Sequence, residues 1–481
     1  MKWIWPITMV AMTAACSKPA PAPPSATALP AAVTAKLDAA MTDAFAKREM
    51  PGGALVVVQG DRITYAKGFG SADLAAQRPY TDSTSTVIGS TSKPLTGLAV
   101  LRLVQLGKVA LDTPIARYVP DLTFNDSRAG GMTLRHLLTN RSGLPAGFSG
   151  AAYQRPSIQD SAALDRLAHA MTQLPLAFAP GEGYLYSNRG WAMAGYVVQR
   201  VSGEPVEAFM QREIFEPLGM TGTTLAFWTV PNLVQGYVEG RTVKNIPHGP
   251  SLTREYGPAG MIVSTPRDMG RLLVAMMNQG RTVLGTQFLT PELIAEAVRS
   301  QAQAESELGG PTTYGLGWEV DSMLGTRTVK KAGSVHSMVS LWVMLPDQKT
   351  AMAFSFNRED YSILALIPAV VKILGGGQAD PFPVLSQPPA VPVAKARVAA
   401  AALERWVGSY DTRVGDVVVS RRGDSLVADY QGGLVGLIST SDSSFTVVSD
   451  VLAEGGQIMT FRRRGRAVAL WIGPDSTGIR R

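Results

Sequence analysis

Cysteine, histidine and charge are the scarce materials of this chain. A single cysteine, Cys16, excludes an internal disulfide and any cysteine-rich metal site. The four histidines are His136, His169, His248 and His336, and no two share the H-x-x-x-H spacing that binds zinc from a helix. No G-x-S-x-G stretch occurs, so the strained elbow that presents serine in α/β-hydrolases is missing. Charged residues make up only 17%, and the net excess of +7 is spread out. The densest basic patch, Arg462-Arg463-Arg464 with Arg466, reads as a solvated strand end. Nothing resembles a nucleic-acid module, and a basic balance alone does not make one.

What is present is enough for a large buried core. The chain has 481 residues and is 46% hydrophobic, which is globular composition. Met1-Lys2 followed by the apolar run Trp3 to Ala15 reads as a secretory signal, too short to span a bilayer as a mature helix. Thr13-Ala14-Ala15-Cys16 resembles a bacterial lipoprotein box, although Thr13 stands where leucine is usual. On that resemblance Cys16 becomes a lipidated N-terminus, and the protein is exported and anchored to a membrane in the cell envelope or periplasm. Cleavage near Ala15 without lipid is the alternative. The Pro/Ala-rich stretch 16–32 then serves as a tether.

The main body is expected over 33–374. Lys36 to Glu49 has the pattern of an amphipathic helix, ended by Pro51-Gly52-Gly53. Ala54 to Gln59 and Ile63 to Phe69 read as a hairpin around Gly60-Asp61-Arg62. Ser90 opens a helix running to about Leu106. The middle is mostly helix and loop, with helices over Arg189 to Ser202 and Pro205 to Leu218. Strands return at Gly315 to Val320, Arg327 to Ala332, Met338 to Met344 and Thr350 to Phe356, followed by a helix from Ile363 to Leu374. This is an α+β layout in which the first and last segments share one antiparallel sheet. A linker (375–396) and a small all-β barrel or sandwich (397–481) follow.

Three short motifs carry the chemistry. In Ser90-Thr91-Ser92-Lys93, residues three apart share a helix face, so Lys93 can reach the Ser90 hydroxyl. A serine needs such a base to become a nucleophile. Burial, a second cation and the helix N-terminus each favour the neutral amine that a base requires. In Tyr186-Ser187-Asn188, residues two apart in an extended segment point the same way. Tyr186 can then move protons while Asn188 binds a carbonyl or orients a lysine. In Lys331-Ala332-Gly333-Ser334, Lys331 adds positive charge and Gly333 admits a substrate close to the strand. The Ser334 amide can join the Ser90 amide as an oxyanion hole.

Together the motifs resemble the S-x-x-K, Y-x-N and K-x-G set of the serine β-lactamase and penicillin-binding protein family. The resemblance spans roughly Val33 to Leu374 and is nearest the class C branch, with its D-alanyl-D-alanine carboxypeptidases and family VIII esterases. It implies a two-lobed β-lactamase/transpeptidase-like fold with the site between sheet and helical lobe. It also implies Ser90 as acylated nucleophile, Lys93 as its activator and Tyr186 as acid/base. Asn188, Lys331, Gly333 and Ser334 would bind substrate, with no metal and no organic cofactor. Expected substrates are small esters, amides, β-lactams or peptidoglycan-derived peptides. Ala332 departs from the pattern, because threonine is usual there and its hydroxyl commonly contacts a substrate carboxylate. Three further familial stretches, Thr133 to Pro145, Gly260 to Met269 and Tyr314 to Trp318, read as structural. Of the histidines, only His336 follows a motif closely enough to line the cleft. The competing reading is a non-catalytic protein that binds peptidoglycan or a partner on the same fold.

Overall fold

The computed structural model describes residues 28–481 except 148–158, 239–243, 246–251, 307–310, 324, 336, 359, 361–364, 379–398, 413–414, 423–424, 431–432, 440–442, 449–457, 465–466, 473–475 and 481. Cys16, His248, His336 and most of the tether and linker lie outside the described residues.

Helix α1 (Ala31–Arg48) leads into β1 (Gly52–Gln59), β2 (Arg62–Asp73), β3 (Arg78–Pro79) and β4 (Thr86–Val87). A 3₁₀ turn, Gly89–Thr91, precedes α2 (Ser92–Gln105). The helical lobe adds α3 (Leu134–Leu138), α4 (Ala163–Met171), α5 (Asn188–Ser202) and α6 (Val206–Met210). After the short pair β5 (Tyr237–Val238) and β6 (Lys244–Asn245) come α7 (Gly257–Gly260), β7 (Val263–Ser264), α8 (Pro266–Met277) and α9 (Pro291–Ala297). The chain then returns to strands: β8 (Ala302–Glu305), β9 (Pro311–Tyr314), β10 (Glu319–Met323), β11 (Thr326–Val335), β12 (Met338–Leu345) and β13 (Thr350–Phe356), closed by α10 (Leu366–Leu374).

One nine-stranded sheet has the order β3-β2-β1-β13-β12-β11-β10-β9-β8. First and last strands meet inside it, where β1 pairs antiparallel with β13, Leu55 opposite Phe354. The alternation of β1 builds two cores. Ala54, Val56 and Val58 face a large cluster with the helical lobe, including Leu95, Trp191 and Leu272. Leu55 and Val57 face a second cluster with Leu37 and Met41 of α1 and Ile367 and Val370 of α10. Helix α2 is buried on nearly every side, as an apolar helix between a sheet and other helices must be. The expected α+β fold is what the chain adopts.

Two elements differ from the sequence reading. Gly315 to Val320 is not one strand, because Gly317 turns left-handed (φ 94°) and ends the ladder between β9 and β10. A Cβ on Gly317 would fall 2.8 Å from the Pro94 nitrogen, so this turn rests on the backbone of α2. The helix expected to reach Leu218 stops as α at Met210 and continues as a π turn, Gln211–Phe215.

Beyond α10, α11 (Ala400–Glu404) precedes eight strands, β14 (Gly408–Thr412), β15 (Gly415–Arg422), β16 (Ser425–Tyr430), β17 (Gly433–Ser439), β18 (Ser444–Val448), β19 (Ile458–Arg464), β20 (Ala467–Ile472) and β21 (Ser476–Arg480). They form a closed antiparallel barrel, which leaves no free strand edge. Its core includes Trp406, Tyr410, Val417, Leu426 and Phe445.

Candidate active site

Three segments converge on Ser90. The first is the 3₁₀ turn itself. Gly89 takes φ 55°, a conformation that suits glycine, and a Cβ there would lie 2.5 Å from the Ser334 nitrogen. A Cβ on Gly333 would lie 2.5 Å from the Ser90 nitrogen and 2.4 Å from the Ile88 oxygen. Two glycines therefore let β11 press against the turn, bringing the Ser334 backbone beside residues 89–90. Hydroxyls lock the contact: Ser340 Oγ donates to the Ile88 carbonyl at 2.7 Å and lies 2.6 Å from Thr91 Oγ1.

The second segment is the start of α2. Lys93 is fully buried, and a buried ammonium needs partners. Its Nζ donates to Ser90 Oγ at 3.0 Å, to Asn188 Oδ1 at 2.8 Å and to the Ala259 carbonyl at 2.8 Å. The predicted lysine–serine pair is thus formed, and Asn188 orients the lysine.

The third is the Tyr186-Ser187-Asn188 loop. Ser187 caps α5, accepting from the Gly190 amide at 3.0 Å, so Asn188 becomes the first helical residue. The bend still brings both flanking side chains into the site. Tyr186 donates its hydroxyl to Ser90 Oγ at 2.7 Å, and Asn188 Nδ2 donates to the Gly147 carbonyl at 3.3 Å. Lys93 Nζ sits 4.7 Å from the Tyr186 ring centroid and Lys331 Nζ 5.1 Å from it. Two ammonium groups beside one phenol favour negative charge on its oxygen.

The stretches read as structural prove to support the site directly. Buried Asn140, left-handed at φ 56°, accepts from the Ser187 amide (3.3 Å) and from Trp191 Nε1 (3.0 Å) through Oδ1. Its carbonyl accepts from the Leu185 amide at 2.9 Å. Tyr314 lies beneath Lys331, ring centroid 5.5 Å from Nζ. The Ala259 carbonyl, just before the Gly260 stretch, holds Lys93. Asn140, Tyr314 and Ala259 were not among the expected site residues. A carbonyl leaves no trace in side-chain identity, but the asparagine within a turn-rich stretch was a usable signal.

Ala332 points away from Lys331, into the apolar cluster with Val339 and Leu341. His136 accepts from the Thr133 amide at 3.3 Å and completes a capping box on α3, while His169 is exposed on α4. Glu182 is an exposed loop residue whose carboxylate accepts from the Ala179 amide at 3.2 Å.

Residues 36–366 match the Beta-lactamase family. An esterase, EstB of Burkholderia gladioli, is 37% identical over 210 residues, 41% of this chain and 53% of the esterase. Penicillin-binding protein 4* of Bacillus subtilis is 24% identical over 403 residues, 82% of this chain and 87% of that protein. A putative D-alanyl-D-alanine carboxypeptidase of Escherichia coli is 25% identical over 309 residues, covering 56% of this chain and 67% of its own length. Among solved structures, the octameric penicillin-binding protein homologue from Pyrococcus abyssi has a TM-score of 0.64 at 22% identity, covering 92% of this chain and 99% of that one. That likeness is one of fold. With the family match spanning the whole nine-stranded sheet and the serine–lysine–tyrosine cluster, the chain belongs to the beta-lactamase family, as a serine hydrolase with esterase and penicillin-binding-protein relatives.

Proposed function

We propose that the protein is an exported serine hydrolase that forms an acyl-enzyme on Ser90 from small esters or D-alanyl peptides. The observation that carries this is Ser90 Oγ held between Lys93 Nζ (3.0 Å) and Tyr186 OH (2.7 Å). Asn188 Oδ1 and the Ala259 carbonyl engage the two N–H bonds of a neutral Lys93 amine. Its lone pair then faces the Ser90 hydroxyl.

In acylation Lys93 takes the Ser90 proton and Oγ attacks the substrate carbonyl carbon. The oxyanion is received by the Ser90 and Ser334 amides, a contribution of about 100- to 1000-fold per donor. Tyr186 gives its proton to the departing alcohol or amine and becomes a phenolate beside Lys93 and Lys331. In deacylation that phenolate takes a proton from water, which attacks the acyl carbon. Lys93 returns its proton to Ser90 Oγ as the product leaves. Lys331 also suits a substrate carboxylate.

Export rests on the Met1 to Cys16 signal pattern, with Cys16 as the lipid attachment point that tethers the enzyme in the cell envelope. The test is intact-protein mass and product release with benzylpenicillin, a D-alanyl-D-alanine peptide and a p-nitrophenyl ester, on wild type and Ser90→Ala. Ester or peptide turnover that needs Ser90 supports the reading. Binding of all three without adduct or turnover would replace it with the non-catalytic one.

A further inference from the structure

Helix α7 is a single turn, Gly257–Gly260, in which the Met261 amide reaches back to the Gly257 carbonyl at 3.1 Å. The carbonyls that follow at a helix end need partners from elsewhere. Here α2 supplies both. Thr96 Oγ1 donates to the Pro258 carbonyl at 2.7 Å, and Lys93 Nζ donates to the Ala259 carbonyl at 2.8 Å. The Ile262 amide, next in line for the Pro258 carbonyl had the helix continued, donates to Ser92 Oγ at 3.2 Å instead.

A threonine inside a helix can return its hydroxyl to the carbonyl one turn back. Thr96, fully buried, reaches across to a second element. It stands three residues after Lys93, so the two share one face of α2. The turn is also wedged from its other side. A Cβ on Gly195 of α5 would fall 2.2 Å from Pro258 Cγ, so the helix presses on the proline ring. That same helix begins with Asn188, the side-chain acceptor of Lys93.

We infer that Thr96 is a positioning residue for the chemistry at Ser90, acting through the Ala259 carbonyl on Lys93; this rests on the acyl-enzyme reading above. The Pro258 and Ala259 carbonyls belong to successive peptide planes that meet at the Ala259 Cα. Fixing the first plane fixes the aim of the second. Without the Thr96 hydroxyl, the buried Pro258 carbonyl loses its partner and the turn shifts to find another. The Ala259 carbonyl moves with it. Lys93 then loses one of the two acceptors that point its lone pair at Ser90 Oγ, and misplacement by about 1 Å can cost about 100-fold in rate.

The test is stopped-flow acylation of the full chain by p-nitrophenyl acetate, read as the burst of p-nitrophenolate. Wild type, Ser90→Ala, Thr96→Val, Thr96→Ala and Thr96→Ser are compared, with a thermal melt of each. Valine keeps the shape and removes the donor; alanine removes it without setting a methyl against the carbonyl. In whichever of the two folds, the maximal acylation rate should fall about tenfold or more. The ester concentration giving half that rate should stay within about twofold, because the hydroxyl acts on the base and not on binding. Thr96→Ser keeps the donor and should stay within about threefold of wild type, whereas a loss of packing alone would damage it as much as the others. Equal losses in all three, or a full acylation rate without the hydroxyl, would overturn the inference while leaving the Ser90 reading intact. A wild type with no burst that needs Ser90 would instead bring down the acyl-enzyme reading, and this inference with it.

Discussion

Gly333→Ala is the smallest change that should disable the site. Its Cβ would meet three backbone atoms: Ile88 O at 2.4 Å, Ser90 N at 2.5 Å and Thr91 N at 2.6 Å. Ordinary contact begins near 3.4 Å, so β11 and the Ser90 turn must part by roughly 1 Å. Neither side yields easily. β11 is paired with β10 and β12, and the turn is bound through Ser340 and Thr91 to the Ile88 carbonyl. Overpacking of this kind costs about 1–3 kcal/mol, which leaves a folded protein. A displacement of 1 Å between nucleophile and oxyanion donors costs about 100-fold in rate. Gly130→Ala is the control: a glycine outside the left-handed region, with nothing within 4 Å of the added methyl. The assay is kcat/KM for p-nitrophenyl acetate with a thermal melt of each variant. Gly333→Ala should lose about two orders of magnitude while Gly130→Ala stays within twofold. A folded Gly333→Ala variant within threefold of wild type would refute the close approach as the basis of the site.

Asn140→Ala strands the Ser187 amide and the buried Trp191 indole N–H, at about 1–3 kcal/mol each; its melting temperature and kcat should both fall. Asn140→Asp keeps the acceptor and should recover most of both, and equal damage from the two would count against the anchoring role. Ser90→Ala and Lys93→Ala should each cost several orders of magnitude, with the double variant little worse than either, because the two act as a unit; additive losses would break the pairing. Burial, with Arg141 nearby, holds the His136 pKa below its ordinary 6.5. Below about pH 6.5 the unfolded chain takes up that proton before the native state does, so stability falls with pH until the folded value is passed. The drop in Tm between pH 7.5 and 5.5 should be smaller in His136→Gln; an equal drop would acquit the histidine.

Ser90, Lys93, Tyr186, Asn188 and Lys331 were legible because their chemistry is written in side-chain identity and fixed spacing. Their supports were not. The Ala259 and Gly147 carbonyls that hold Lys93 and Asn188 depend on where the backbone passes, which no residue name records. Tyr314 looks like any strand aromatic until Lys331 is placed on its ring. The central strands declared themselves through unbroken apolar runs, as in Met338–Leu345. The edge strand Ala302–Glu305 reads Ala-Gln-Ala-Glu and carries little hydrophobic signal, so it was passed over. The strand expected across Gly315 to Val320 failed because a glycine in a left-handed turn was counted as a strand residue.

The central claim is a covalent acyl group on one oxygen. Wild type is mixed with p-nitrophenyl acetate, quenched in acid within milliseconds to seconds, digested and mapped by mass spectrometry. The account predicts an added acetyl on Ser90 that rises and decays with turnover and is absent in Ser90→Ala. Steady turnover with the acetyl on another residue, or undiminished turnover by Ser90→Ala, would contradict it.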